Sequence, residues 1–176
     1  MWVQKNDSPQ VTAQRAHLLK AEMPMPEGTP IADLVSALRR TLADAVTFYL
    51  RAHGFHWNVV GSDFTEYHIL FENIYVDVVE SIDPLGEIIR KLDGIAPFRL
   101  PELMALRSIG DDSLVAPLPA AMSADLLAAN EMMLDTLRNA FAIATGTADE
   151  QGVANFLAER IDQHQKWSWQ LRASLA

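Results

Sequence analysis

Cysteine is absent from the 176 residues. That excludes thiol catalysis, iron–sulfur ligation and a disulfide framework. It agrees with a cytoplasmic location, although many exported proteins lack cysteine as well. No uninterrupted apolar run approaches the roughly twenty residues of a membrane span. The first residues do not read positive, then apolar, then small, so neither a signal peptide nor membrane insertion is expected. Positive charge is scarce: 14 Lys and Arg stand against 23 Asp and Glu, for a formal net charge of -9. Such a balance opposes unspecific attraction to nucleic acid or anionic lipid and favours cations. Residues 1–30 set Lys5, Arg15 and Lys20 against Asp7, Glu22 and Glu27, so this arm is neutral by count, and the final LRASLA is no basic tail. Also missing are a G-x-S-x-G elbow, a phosphate loop, an H-E-x-x-H helix and any basic patch interleaved with aromatics. None of the five histidines has a glutamate three positions before it, so the E-x-x-H motif of larger di-iron bundles is absent too.

What is present is apolar and helical in rhythm. An apolar fraction of 49% over this length suits one domain with a sizeable core. Pro9, Pro24, Pro26, Gly28 and Pro30 mark residues 1–30 as a partly flexible N-terminal extension, with one short helix around Gln10 to Ala21. The domain proper spans residues 31–176. Leu34, Leu38, Leu42, Ala45, Val46 and Tyr49 recur at three-and-four spacing, which predicts a helix from Ile31 to about Trp57. Asn58, Gly61, Ser62 and Asp63 read as a break, and a second helical pattern runs from about Phe64 to Leu92. A linker rich in proline and glycine follows, with a short helix from Leu100 to Ile109. Ser123 is placed to cap a third long helix ending near Thr145, and Asp149 a fourth through about Ser174. No strand-like alternation stands out. The expected fold is all-α: a ferritin-like four-helix bundle with a short extra helix in the long connection between its second and third long helices.

Between His53 and Glu87 the sequence reads HGFHWNVVGSDFTEYHILFENIYVDVVESIDPLGE, which holds three of the five histidines and several carboxylates. His68 and Glu72 are four apart, as are Asp83 and Glu87, so each couple shares a helix face. Imidazole with carboxylate suits divalent iron, manganese or zinc, whereas calcium or magnesium favours oxygen alone. His68 and Asp83 lie fifteen positions apart, about 22 Å along a continuous helix. Ligands of one ion must lie within roughly 4 Å of each other, so one chain cannot close the site with both couples. The couples are only about 60° apart around the axis, and an antiparallel second copy would bring His68 and Glu72 of one chain to Asp83 and Glu87 of the other. That dimer would hold two identical sites about a two-fold axis near Asp77 and Val78. Pro84, with Gly86 beside it, predicts either a kink or a helix that stops and restarts with Pro84 in its first turn.

The run HWNVVGSDFTEYHILFE, the D-x-x-x-E pair and the C-terminal DQHQKWSWQLRA resemble the starvation-type mini-ferritins, the Dps branch of the ferritin-like superfamily, over roughly Ile31 to Ala173. The resemblance implies ferroxidase ligands at His56, His68, Glu72, Asp83 and Glu87, with the first three from one subunit and the last two from its two-fold partner. It also implies two irons per inter-subunit site, with zinc or manganese able to substitute. Ferrous iron would be oxidised by hydrogen peroxide, or by dioxygen, and stored as ferric mineral inside a hollow dodecamer built from two-fold dimers, protecting against oxidative stress. Trp57 matches a family tryptophan and is a candidate electron donor. Family members that bind DNA often use a lysine-rich tail, which the N-terminal arm here is not, so DNA binding is not expected. The alternative is a structural or DNA-associated shell whose ferroxidase site Pro84 has impaired.

Plainer roles remain for other residues. His53 reads as structural or as support for a ligand, and His164 as packing. Met23, Met25, Met132 and Met133 read as core filling. Trp167 and Trp169 suit a helix end or a subunit contact, and Glu131 and Asp135 a solvated or cavity-lining face.

Overall fold

A computed structural model of the chain describes residues 27–110 and 118–176. The helix expected around Gln10 to Ala21 lies outside the described residues, as do Met23 and Met25. Five helices are described: α1 (Pro30–Asn58), α2 (Phe64–Lys91), the short α3 (Leu100–Leu106), α4 (Pro119–Thr145) and α5 (Gln151–Ala173). The four long ones form the bundle, with α1 packed on α2, α4 on α5, and α1 on α4. No strand occurs among the described residues, and no helix there is long and apolar enough to cross a membrane.

Local chemistry sets the ends. The Thr29 hydroxyl accepts the Ala32 N–H at 3.2 Å, and Pro30 opens α1 where a missing N–H costs nothing. Leu34, Leu38, Phe48 and Ala52 then turn one face of α1 into the core. The chain reverses between α1 and α2 through Gly61, whose φ of 132° suits a residue without Cβ. From α2, Phe71, Ile74, Val78, Leu85 and Ile89 are fully buried.

Helix α2 does not stop at Pro84 but runs through it. An interior proline costs about 3 kcal/mol. Burying Leu85 and Ile89 just beyond it stabilises by about 1.5–3 kcal/mol each, enough to carry the helix past the lost hydrogen bond.

Two expected caps are displaced. Helix α4 begins at Pro119, four residues before Ser123, because proline is preorganised for the first helical position, and Ser123 is a fully buried interior residue. At α5 the capping position is Glu150, while Asp149 sits outside it in a left-handed conformation with φ 53°. Helix α3 ends at Leu106 rather than Ile109. Ile109 instead plugs the core: the buried Asp44 carboxylate on α1 accepts the N–H groups of Ser108 and Ile109 at 2.7 and 3.0 Å. Together with the Arg39–Glu102 ion pair, this fastens the long connection along α1.

Candidate metal centre

His56 lies in the last turn of α1 and His68 in the second turn of α2, and the reversal through Gly61 stacks their rings, with centroids 3.7 Å apart and planes 22° from parallel. Their hydrogen bonds are reciprocal. His56 Nδ1–H donates to the His68 carbonyl at 3.0 Å, and His68 Nδ1–H donates to the His56 carbonyl at 2.9 Å. Because a carbonyl only accepts, each Nδ1 carries a proton, which leaves Nε2 of each ring as the nitrogen for a metal, the orientation a metal-binding imidazole requires. Phe64 and Tyr75 flank the stack at 4.7 Å from His68 and 5.1 Å from His56.

Glu72 stands exposed one turn beyond His68. Asp83 and Glu87 are exposed further along α2, and both line an open groove of about 630 Å³ with Leu42, Val46, Ile82 and Ala96. Lys91 lies 3.8 Å from the Glu87 carboxylate. Since α2 is unbroken from Phe64 to Lys91, the histidine half and the Asp83–Glu87 half stay about 22 Å apart within a chain. Among the described residues of this chain, no three His, Asp or Glu side chains converge on a common position. What a single chain holds is two half-sets: imidazole nitrogens locked in orientation at one end and two carboxylates at i,i+4 at the other, donors that fit a borderline divalent ion such as Fe(II).

Between the halves runs a continuous stripe. His68, Glu72, Val76, Val79, Asp83 and Glu87 follow three-and-four spacing along α2, and Val76 and Val79 are 40% and 39% exposed in the isolated chain. Asp77 and Val78, the midpoint of the ligands, face the other way. Val78 is fully buried, and Asp77 takes a two-pronged ion pair from Arg160, at 3.0 and 2.6 Å, and the Trp167 indole N–H at 2.9 Å. Burial raises the Asp77 pKa, but the hydrogen bonds from Arg160 and Trp167 and the Arg160 charge outweigh it and hold the carboxyl below its ordinary value. At that height along α2, the residues on the outward face are Val76 and Val79.

Behind His56 lies an aromatic cluster that joins His53 and Trp57 to Tyr49 and Tyr75, two tyrosines absent from the sequence-based candidates. His53 stacks on Tyr75 at 4.0 Å, meets Trp57 at 4.1 Å, and shares a 3.1 Å hydrogen bond with the Tyr49 hydroxyl. The usable signal was Tyr49 and His53 at i,i+4 in the register of His56. Trp57 is 66% exposed in the isolated chain.

The plainer readings divide. His164 is fully buried, its Nδ1–H donating to Asn130 Oδ1 at 2.6 Å. Desolvation lowers its pKa to about 3, the Arg160 charge adding to the shift and Asp77 opposing it. Met133 fills the core while Met132 is 38% exposed, and Trp167 is buried while Trp169 is exposed. Glu131 is engaged by the Ser168 hydroxyl and Arg172.

Residues 35–176 match the family model described as a ferritin-like domain. A low temperature-induced protein of Nostoc sp. is 27% identical over 140 residues, covering 80% of this chain and 78% of the relative. DNA protection during starvation protein 2 of Bacillus anthracis is 28% identical over 142 residues, covering 81% and 96%. Among solved structures, the Dps protein of Vibrio cholerae O1, described as a member of a superfamily of ferritin-like diiron-carboxylate proteins, superposes with a TM-score of 0.78 at 27% identity, covering 84% of this chain and 91% of that one. The chain belongs to the ferritin-like family, in its Dps branch of starvation-type mini-ferritins.

Proposed function

We propose that this protein is a cytoplasmic ferroxidase and iron store. It oxidises Fe(II) with hydrogen peroxide at sites shared between two-fold related chains, and the ferric product collects inside a hollow twelve-subunit shell. His56, His68 and Glu72 of one chain and Asp83 and Glu87 of the next hold two ferrous ions, iron being the substrate. The observation that carries this reading is the reciprocal lock of His56 and His68, which leaves two Nε2 lone pairs at one end of a helix whose carboxylate pair lies about 22 Å away. Two ferrous ions held together deliver two electrons to one peroxide, which splits to water without releasing hydroxyl radical. Protein ligands contribute proximity and charge, and iron carries the redox chemistry. A net charge of -9 draws ferrous ions toward the shell and disfavours DNA as a partner.

Ferrous iron and peroxide added to metal-free protein, with ferric absorbance followed, test the reading. Wild type should outpace the protein-free control, and His56→Ala and His68→Ala should fall toward it. Equal rates for all of them reject the ferroxidase.

A further inference from the structure

Hydrogen peroxide takes two electrons, while one ferrous ion gives one, so a half-filled site lacks an electron. We propose that Tyr49 and His53 form a proton-coupled electron-donor pair that supplies it. This inference rests on the ferroxidase reading above and adds a second donor to the same centre.

Among the described residues, Tyr49 is the only one of the chain's three tyrosines whose hydroxyl is hydrogen-bonded to a base. The Tyr67 hydroxyl donates to the Ser174 carbonyl at 2.9 Å, an oxygen too weakly basic to keep a proton. Among the described residues the Tyr75 hydroxyl has no hydrogen-bond partner. The Tyr49 hydroxyl lies 3.1 Å from Nδ1 of His53, within the range for proton transfer. With the imidazole proton on Nε2, Nδ1 accepts the phenolic hydrogen bond and is ready to take the proton as the ring loses an electron. The surroundings suit the imidazolium that forms, since Tyr75 and Trp57 present rings at 4.0 and 4.1 Å and aromatic faces stabilise a cation at such distances. Tyr75 also bridges to the centre, 6.3 Å from the Tyr49 ring and 5.1 Å from that of His56.

The step balances. Fe(II) and Tyr49 lose one electron each, the peroxide O–O bond breaks, and two solvent protons complete two waters. The phenolic proton moves to His53, leaving Fe(III), a neutral tyrosyl radical and an imidazolium. A second ferrous ion then returns an electron to Tyr49 as His53 returns its proton, and no hydroxyl radical is released.

Metal-free assembled protein loaded anaerobically with one Fe(II) per site, treated with peroxide and freeze-quenched, should show a tyrosyl radical by electron paramagnetic resonance. Ring-deuterated tyrosine should narrow that signal. Tyr49→Phe should abolish it, Tyr67→Phe should keep it, and His53→Gln should lose it although Tyr49 remains, because an amide cannot hold the proton. A signal that survives Tyr49→Phe, one that answers to deuterated tryptophan instead, or no radical in protein that still oxidises iron would each overturn the pair. Failure of wild type to oxidise iron at two Fe(II) per site is a separate result, which removes the ferroxidase reading and this pair with it.

Discussion

His164 shows how a single buried group sets a pH limit. Its pKa falls to about 3 because burial penalises the imidazolium, the Arg160 charge adds to the shift, and Asp77 only partly opposes it. Between about pH 6.5 and 3 the unfolded chain binds a proton here that the native chain does not. The stability from the neutral ring is complete above about pH 6.5 and is lost as pH falls toward 3, at up to about 1.4 kcal/mol per pH unit. Asp77, whose pKa is lowered, contributes stability that is present above the ordinary carboxylate value of about 3.9 and lost below it, so the two windows barely overlap. Urea midpoints at pH 7 and pH 5 should therefore fall for wild type. The same measurement on His164→Gln should start lower at pH 7, from lost packing, but change less between the two values. Parallel slopes would show that some other group sets the limit.

At the scale of the element, α2 carries His68 and Glu72 at one end, Asp83 and Glu87 at the other, and the apolar stripe between them, so its outward face is where substitution should read out as assembly. Val79→Glu puts a charge where two copies of the helix would meet and leaves the chain's own core untouched, because Val79 is 39% exposed in the isolated chain. Sedimentation should show separated chains with near-native helix content; an intact shell would move the partner face elsewhere. Gly86 tests the same face more gently. A Cβ built there meets nothing within 4 Å in its own chain, so Gly86→Ala should add about 0.5–1 kcal/mol to chain stability by helix propensity alone. Loss of assembly by that variant would mean the partner packs against the space. Much of this helix was legible beforehand: the three-and-four rhythm placed it within a residue or two, and rise per residue separated the two half-sites. The inward turn of Asp77 was not, because its partners Arg160 and Trp167 lie 83 and 90 positions away in sequence. The imidazole tautomers were hidden for a similar reason, since they depend on carbonyls that only the reversal through Gly61 brings into reach.

For the whole molecule, the proposed division of the site between chains makes a quantitative demand that no single-chain site meets. A shell of His56→Ala/His68→Ala chains lacks the imidazole half everywhere, and a shell of Asp83→Asn/Glu87→Gln chains lacks the carboxylate half everywhere, so each alone should be inactive. In the proposed two-fold dimer there are two sites, each taking His56, His68 and Glu72 from one chain and Asp83 and Glu87 from the other. In a dimer of one chain of each kind, one site then receives both intact halves and the other receives neither. Random co-assembly of equal amounts makes about half of all dimers mixed, and half the sites in those are whole, so about a quarter of wild-type ferroxidase activity should return. The measurement is ferrous oxidation by co-refolded shells against the two parents refolded separately and then combined. Recovery only on co-refolding would establish that neighbouring chains build the site, whereas no recovery in shells shown to contain both chains would confine it to one.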